Sequence, residues 1–203
     1  MTKRFGAVAM AALALAAAAP SARALELGAA MPMTGVKMKS VSGKEVTLGD
    51  VAGSKGTLVL FSCNHCPWVR AWETRIAAIG NELPGKGIGV IAINSNDPAA
   101  YPGDDYADMV KRAKERDFTF PYVVDSTSDV ARAFGATHTP EAFLFDAAGR
   151  LVYHGAIDDN AQDAAKVAHP YLLDAADALL AGKPIVTAET KSIGCALKLR
   201  PRG

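Results

Sequence analysis

The feature that most constrains this chain is a pair of cysteines set between a short apolar run and an amphipathic stretch. Residues 57–62 read TLVLFS, a composition typical of a buried central strand. Cys63 and Cys66 follow directly, three positions apart. From Pro67 onward, apolar residues recur every three or four positions, which predicts a helix, and proline fits its first turn because the missing N–H has no partner there. We therefore expect a strand that leads into a helix, with both cysteines at the helix's first turn.

Strands and helices alternate along the rest of the chain. This alternation predicts an α/β fold with a mixed central sheet and helices on both faces, closed by a hairpin that turns at residues 146–149. Such sheets place their chemistry at the C-terminal ends of the strands, where the cysteine pair is expected. The expected elements are an N-terminal hairpin within 41–48, strands at 57–62, 88–93, 122–125, 142–145 and 151–153, and helices from 67 and at 104–116, 128–134 and 169–182.

The N-terminus has the composition of an export signal. A Lys-Arg pair precedes an apolar stretch at 6–19, and Ala-Arg-Ala at 22–24 fits the small-x-small cleavage pattern. We expect residues 1–24 to be a signal peptide and residues 25–203 to be one domain, with a tail from about residue 183. No later segment is apolar over the length that a membrane span needs. Export predicts a periplasmic location, an oxidising compartment in which disulfides persist. An uncleaved N-terminal anchor is the alternative.

The Cys-Asn-His-Cys segment predicts thiol–disulfide exchange. We expect Cys63 at the exposed strand–helix junction, where backbone N–H groups and the helix dipole stabilise a thiolate. That thiolate is the nucleophile, and Cys66, one turn inside, attacks the mixed disulfide to release the substrate. His65 either favours the dithiol form and makes the pair more oxidising, or is a solvated residue. A static disulfide over so short a loop would stabilise little, and a zinc site needs more ligands than this segment offers.

On these residues the chain resembles the thioredoxin superfamily, in the redoxin branch that includes AhpC/TSA-related and TlpA/ResA-like proteins. The matching segments are FSCNHCP at 61–67 and THTPEAFLFD at 137–146, and the resemblance covers about 31–181. It implies a thioredoxin-like fold with an N-terminal β-hairpin extension. It also implies that Pro140 is a cis-proline packed against the cysteine pair, and that Thr139 and Pro140 dock the substrate chain.

A third cysteine lies in the tail, and its role stays open at this stage. Gly194-Cys195 resembles a tail segment found in the same redoxin branch. An odd thiol in an exported protein needs a reason. Cys195 is a resolving or regulatory thiol that reaches the pair, a buried and inert residue, or a site of intermolecular pairing.

The chain departs from the family pattern at three places. Ser62 stands where many relatives have Trp, which changes the surface facing the substrate. Thr57 stands where thioredoxin carries a buried acid, and Glu73 is either a substitute for that acid or a solvated helix residue. Redoxins that reduce peroxides carry a Pro-x-x-x-Thr-x-x-Cys motif, whereas this chain has Gly56 and Leu60 at the Pro and Thr positions. A thiol peroxidase is therefore the weaker alternative.

Metal handling is the strongest rival function. Sco-type copper chaperones share the fold and bind copper through two cysteines and a histidine, so the resemblance would make Cys63, Cys66 and His138 a Cu(I) site. Their cysteines are spaced CxxxC, however, and those of this chain CxxC. If the chain does not bind copper, His138 is a loop residue that stabilises the turn before Pro140. His154 and His169 carry no pattern, and we expect them at the surface.

These observations together predict a periplasmic thiol–disulfide oxidoreductase that acts on protein thiols or disulfides through Cys63 and Cys66. No bound cofactor is expected, because the electrons travel in the disulfide; copper enters only under the alternative. The implied second partner is an upstream periplasmic or membrane electron carrier, and the net charge of +1 gives no indication of nucleic acid binding. His65 favours an oxidant or isomerase, and the redoxin resemblance favours a reductant. A binding module that retains a redox fold remains possible.

Overall fold

The computed structural model of the protein describes residues 25–202, so the expected signal peptide lies outside the described residues. Within them a seven-stranded sheet forms the centre, and two short strands form a separate pair. Two single-turn 3₁₀ helices, at Leu83–Lys86 and Ala164–Lys166, accompany the main elements. The main elements are β1 (Met38–Ser40), β2 (Glu45–Val46), β3 (Gly56–Phe61), α1 (Pro67–Glu82), β4 (Ile88–Asn94), α2 (Tyr106–Glu115), β5 (Tyr122–Val124), α3 (Asp129–Phe134), β6 (His138–Thr139), β7 (Glu141–Asp146), β8 (Leu151–Gly155), α4 (Tyr171–Leu180) and β9 (Cys195–Ala196).

The central sheet is mixed, as the sequence predicts. Its strand order is β2-β1-β5-β4-β3-β7-β8. Strand β3 runs parallel to β4 and β4 parallel to β5, whereas β7 is antiparallel to β3 and β8 is antiparallel to β7. The expected N-terminal hairpin is the antiparallel pair β1–β2. Strands β3 and β4 lie in the middle of the sheet, which is why both are continuous apolar runs rather than alternating ones.

Successive residues of the central strands face two different cores. Leu58 and Leu60 of β3 belong to a core that includes the buried faces of α1, α2 and α4. Val59 and Phe61 belong to a second core, which includes α3 and the N-terminal segment. This alternation follows from the period of two in a strand, and it places helices on both faces of the sheet. None of the helices in residues 25–202 is long and apolar enough to cross a membrane.

One helix begins where the sequence predicts but without the cysteines on its first turn, and another begins later than predicted. Helix α1 starts at Pro67, so Cys66 occupies its N-cap position and Cys63 lies in the preceding loop rather than on the first turn. Helix α2 starts at Tyr106, and its cap is Asp105, whose carboxylate accepts a hydrogen bond from the N–H of Asp108. Apolar periodicity locates a helix but does not locate its cap, since the cap depends on the first turn's hydrogen bonds.

The C-terminal tail holds a strand that the sequence does not predict. Strand β9 pairs with β6 in antiparallel fashion, with Thr139 opposite Cys195. Further along the tail, the N–H of Leu197 donates to the carbonyl of Thr137 at 2.9 Å. The N–H of Asp97 donates to the carbonyl of Lys198 at 2.7 Å. The tail therefore crosses the edge of the sheet where β4 ends and the cysteine pair begins.

The first prediction concerns the central strand. Ile91 is fully buried in β4. We expect Ile91→Ala to lower the free energy of unfolding by about 2–5 kcal/mol, through lost burial and the cavity left behind. Urea unfolding followed by circular dichroism measures this loss. Val186→Ala is the control, because that side chain is 99% exposed and should change stability by less than about 0.5 kcal/mol. Equal effects in the two variants would contradict the assigned core.

Candidate active site

The cysteine pair lies at the end of the central strand β3. The N–H of Ser62 donates to the carbonyl of Ile93 at 2.9 Å, which keeps the chain beside β4 until Cys63 turns away. Cys63 is only 4% exposed and Cys66 only 3%. The sequence analysis expected Cys63 at an exposed junction; instead, the two cysteines form a small buried cluster with Val69, and Cys195 of the tail packs against it.

Both sulfur atoms contact Thr139. The Sγ of Cys63 lies 3.2 Å from the hydroxyl oxygen of Thr139, and the Sγ of Cys66 lies 3.1 Å from its carbonyl oxygen. The Thr139–Pro140 peptide bond is cis, as the resemblance implies. The four residues that the sequence analysis selected for exchange and docking therefore meet at one place.

The third cysteine reaches the same place. The Sγ atoms of Cys66 and Cys195 are 2.7 Å apart. Because Cys195 pairs with Thr139 across β6 and β9, the tail covers the strand edge that the sequence analysis assigned to substrate docking. All three cysteines are in the reduced, unpaired state.

The three thiols do not share charge equally. Hydrogen bonding from the Cys63 thiol lowers the pKa of Cys66 to about 5, against burial, with a further contribution from the Cys195 thiol. Hydrogen bonding to Cys66, together with burial, raises the pKa of Cys63. Burial and the nearby Cys66 raise the pKa of Cys195 to about 11. Of the three thiols, Cys66 is therefore the most acidic.

A buried carboxylate positions the loop between the first two cysteines. Asp104 is 3% exposed, and its Oδ1 accepts hydrogen bonds from the backbone N–H groups of Asn64 at 2.7 Å and His65 at 3.1 Å. Its Oδ2 accepts from the side-chain amide of Asn96 at 2.8 Å. Asn64 is also held by Tyr122, whose hydroxyl donates to its Oδ1 at 3.0 Å. The sequence analysis placed Asp104 in a helix and missed this role; the polar run after β4 was the available signal.

His65 lies on the exposed side of the loop. Its ring packs against the backbone of Gly103, where an added Cβ would come within 2.1 Å of a ring carbon. The ring of Tyr101 meets it edge-on, with 6.5 Å between the ring centroids. Gly103 also has a φ of +98°, so both its conformation and the space available favour glycine.

The residues proposed for copper are not gathered into one site. The Nδ1 of His138 lies 2.8 Å from the hydroxyl oxygen of Thr137, a local contact within the turn. Among residues 25–202, no three His, Cys, Asp or Glu side chains are arranged to hold a metal ion.

A buried pair that the sequence analysis did not find supports the turn before Pro140. The Oε1 of Glu141 lies 2.7 Å from the Nε2 of His154, and its Oε2 accepts hydrogen bonds from the N–H groups of Thr137 and His138. His154 is only 8% exposed, so its expected surface position is wrong. Burial alone would raise the pKa of the Glu141 carboxyl, but these hydrogen bonds outweigh burial and hold the pKa below its usual range.

Glu73 is not a solvated helix residue. It is 3% exposed and forms ion pairs with Arg112 at 3.2 Å and Arg116 at 2.7 Å. Both arginines lie at the end of α2, so the carboxylate ties α1 to α2 beside the site. Each of its oxygens forms one of these ion pairs. Glu73 therefore has no free oxygen with which to act as the buried acid that thioredoxin carries at the position of Thr57.

Comparison with known proteins assigns the family. The model of the AhpC/TSA family matches residues 27–154, and the chain belongs to that family. An uncharacterized conserved protein from Geobacillus kaustophilus is 36% identical, with a TM-score of 0.81 over 88% of this chain and 94% of that one. A thioredoxin-like protein solved in its oxidized form is 22% identical, with a TM-score of 0.61 over 76% of this chain and 97% of that one. The fold is therefore thioredoxin-like.

A curated relative carries a redox activity in its name. The thiol-disulfide oxidoreductase ResA of Halalkalibacterium halodurans is 25% identical over 116 residues, which is 57% of this chain and 61% of that protein. The chain thus spans about three-fifths of the length of this relative.

The second prediction concerns the charge of the reduced site. We expect the ultraviolet absorbance of thiolates to rise with a midpoint near pH 5, because hydrogen bonding with the Cys63 and Cys195 thiols lowers the pKa of Cys66 to about 5. Cys63→Ser should keep an acidic midpoint, since the serine hydroxyl can still donate, and Cys66→Ser should lose it. The opposite pattern, with the midpoint lost in Cys63→Ser and kept in Cys66→Ser, would place the charge on Cys63.

The third prediction concerns Glu141 and acid stability. Because its folded-state pKa lies below the ordinary glutamate value of 4.5, its contribution is full above that value and is lost as the pH falls through the folded-state pKa. Glu141→Gln should therefore lose less unfolding free energy than the wild type between pH 7 and about pH 3. Glu45→Gln is the control at an exposed ion pair, and its acid profile should follow the wild type. Parallel profiles for all three proteins would contradict the assignment.

Proposed function

We propose that this protein is a thiol–disulfide oxidoreductase that exchanges disulfides with protein thiols or disulfides through Cys63 and Cys66. The observation that carries the proposal is the position of both sulfurs against Thr139, beside the cis peptide bond to Pro140. The AhpC/TSA family match and the activity that names the ResA relative support the same chemistry.

The reduced pair can attack a substrate disulfide through a proton shift between its two sulfurs. The Cys66 thiolate takes the proton from Cys63, and the Cys63 thiolate then attacks one sulfur of the substrate. One substrate sulfur leaves as a thiolate, and the other is bonded to Cys63. Cys66 gives up its proton to that departing thiolate and attacks Cys63, which breaks the bond between Cys63 and the substrate. The second substrate sulfur leaves as a thiolate and takes its proton from the solvent. The products are a Cys63–Cys66 disulfide and a substrate dithiol, so two electrons pass from the protein to the substrate.

The reverse sequence oxidises a substrate dithiol, and the reduction potential decides which direction dominates. A value near roughly −120 mV is that of a thiol oxidant, and one near −270 mV is that of a reductant. We propose that His65 tunes the reduction potential of the cysteine pair. Because its ring lies against Gly103, it would act on the thiolate through space, by the charge of its imidazole.

We further propose that the protein works in the periplasm, with residues 1–24 as the export signal and an upstream periplasmic or membrane carrier as the source of electrons. The support is the basic and apolar composition of this N-terminal segment and the Ala-Arg-Ala that ends it. An oxidising compartment supplies the protein disulfides on which such a pair acts.

The fourth prediction tests the exchange directly. Cys63→Ser should reduce the turnover of a disulfide-bonded test protein, with a dithiol reductant, to the uncatalysed rate, because the attacking sulfur is lost. Cys66→Ser should instead accumulate a mixed disulfide between Cys63 and the test protein, visible on non-reducing gels, because the sulfur that attacks Cys63 to resolve it is lost.

The double variant Cys63→Ser, Cys66→Ser is the matched control for trapping. It retains Cys195, so any conjugate it forms reports attack by the tail thiol alone. Wild-type turnover in Cys63→Ser, or equal trapping in the double variant and in Cys66→Ser, would overturn the proposed roles.

A further inference from the structure

The tail brings Cys195 to the reactive pair by strand pairing. Strands β6 and β9 align Thr139 opposite Cys195, and the carbonyl of Thr139 is also the group that Cys66 contacts. Two cysteines that are 129 positions apart in the sequence thus meet at one residue. The tail is held on the same path further along, where the N–H of Lys198 donates to the Oδ1 of Asn96 at 2.8 Å.

Gly194 makes this approach possible. A Cβ at this position would lie 2.2 Å from the carbonyl oxygen of Thr139, closer than any side chain can come to a backbone atom. The absence of a side chain lets the tail lie directly against the turn, so that the next residue, Cys195, can reach the sulfur of Cys66.

The geometry of the two sulfurs suits covalent pairing. Their separation of 2.7 Å leaves no room for an intervening atom, and a disulfide bond of about 2.05 Å requires a further approach of well under 1 Å. Cys195 is also the only one of the three cysteines that is partly exposed, whereas Cys63 and Cys66 are buried. A reductant that approaches this face therefore meets the tail sulfur first.

We propose that Cys195 is a third redox-active thiol, and that the oxidised protein stores its disulfide as Cys66–Cys195 with Cys63 free. This inference rests on the proposed exchange function for its use in turnover, although the bond itself does not require turnover to form.

The exchange that produces this bond is internal and balanced. The Cys195 thiolate attacks the Cys66 sulfur of the Cys63–Cys66 disulfide. A Cys66–Cys195 bond forms, the Cys63–Cys66 bond breaks, and Cys63 leaves as a thiolate that takes up the proton lost by Cys195. No electrons enter or leave, because one disulfide replaces another.

The tail bond then receives electrons from a dithiol reductant. One thiolate of the reductant attacks Cys195, forming a mixed disulfide there and releasing Cys66 as a thiolate. The second thiol of the reductant then attacks the reductant's first sulfur, which is bonded to Cys195 in the mixed disulfide. This attack frees Cys195 as a thiol and leaves the reductant with an internal disulfide. Cys66 is the better leaving sulfur because its thiolate is the more stable one: its pKa is lowered to about 5 by the Cys63 hydrogen bond, whereas burial raises that of Cys195 to about 11.

The fifth prediction compares two variants with the same number of thiols. Cys63→Ser retains Cys66 and Cys195, and Cys66→Ser retains Cys63 and Cys195. After treatment of each with an equimolar azodicarboxylate oxidant, we expect Cys63→Ser to lose both free thiols and to yield a linked peptide containing Cys66 and Cys195. Cys66→Ser should form an intramolecular disulfide at least about tenfold more slowly, because its two sulfurs are not adjacent.

Gly194→Ala in the Cys63→Ser background is the control for tail position. All the remaining thiols are present, but the added Cβ displaces the tail, so the linked peptide should be lost while the circular dichroism spectrum is kept. Should this variant fail to fold, the comparison of the two single variants still decides the question. Two free thiols, or only intermolecular dimers, in oxidised Cys63→Ser would overturn the proposal.

The outcomes separate this inference from the proposed function. If the wild-type protein turns over substrate but oxidised Cys63→Ser keeps two free thiols, the redox role of Cys195 is refuted and the exchange function stands. A closed Cys66–Cys195 bond with no wild-type turnover would retain the redox role of the tail and refute the exchange function.

Discussion

Both cysteines of the site are held against a single residue, Thr139, whose hydroxyl contacts Cys63 and whose carbonyl contacts Cys66. The turn that carries Thr139 is fixed in its place by Glu141, which accepts hydrogen bonds from the two backbone N–H groups before Thr139 and pairs with His154 in the protein interior. A buried carboxylate must be paired or hydrogen-bonded, so this arrangement has few alternatives. The positions of the sulfurs thus depend on an ionisable group of β7 that takes no part in exchange.

Buried carboxylates also hold the other sides of the site. Asp104 fixes the loop between the cysteines through two backbone N–H groups, and Glu73 joins α1 to α2 through Arg112 and Arg116. Asp104 accepts hydrogen bonds on both oxygens, and each oxygen of Glu73 forms an ion pair, so removal of either carboxylate would leave unpaired donors or charges. Because of these contacts, movement of the backbone next to Cys66 would cost free energy.

The tail side of the site is built differently. Strands β6 and β9 contain two residues each, and the tail beyond them is held by backbone hydrogen bonds at Leu197 and Lys198 and by Arg200, whose guanidinium donates to the carbonyl of Asp125. Cys195 packs against the buried cluster that contains Cys63 and Cys66. The position of the tail and the surroundings of the cysteine pair are therefore linked, because the strand that pairs with Cys195 carries Thr139.

The amino-acid sequence by itself determined the mixed α/β sheet and the strand that leads into the cysteine pair. These two features follow from apolar runs and helical periodicity, whose physical causes act over a few residues. The meeting of the pair with Thr139 and Pro140 was implied by the resemblance of two short motifs to the thioredoxin superfamily. The tertiary structure alone decided that Cys63 is buried, that His154 supports the turn through Glu141, and that the tail carries a strand to the site. The reason is that the burial of a polar or reactive group depends on partners far away in the sequence. The 129 positions between Cys66 and Cys195 are bridged only when the sheet has formed and β9 of the tail has paired with β6.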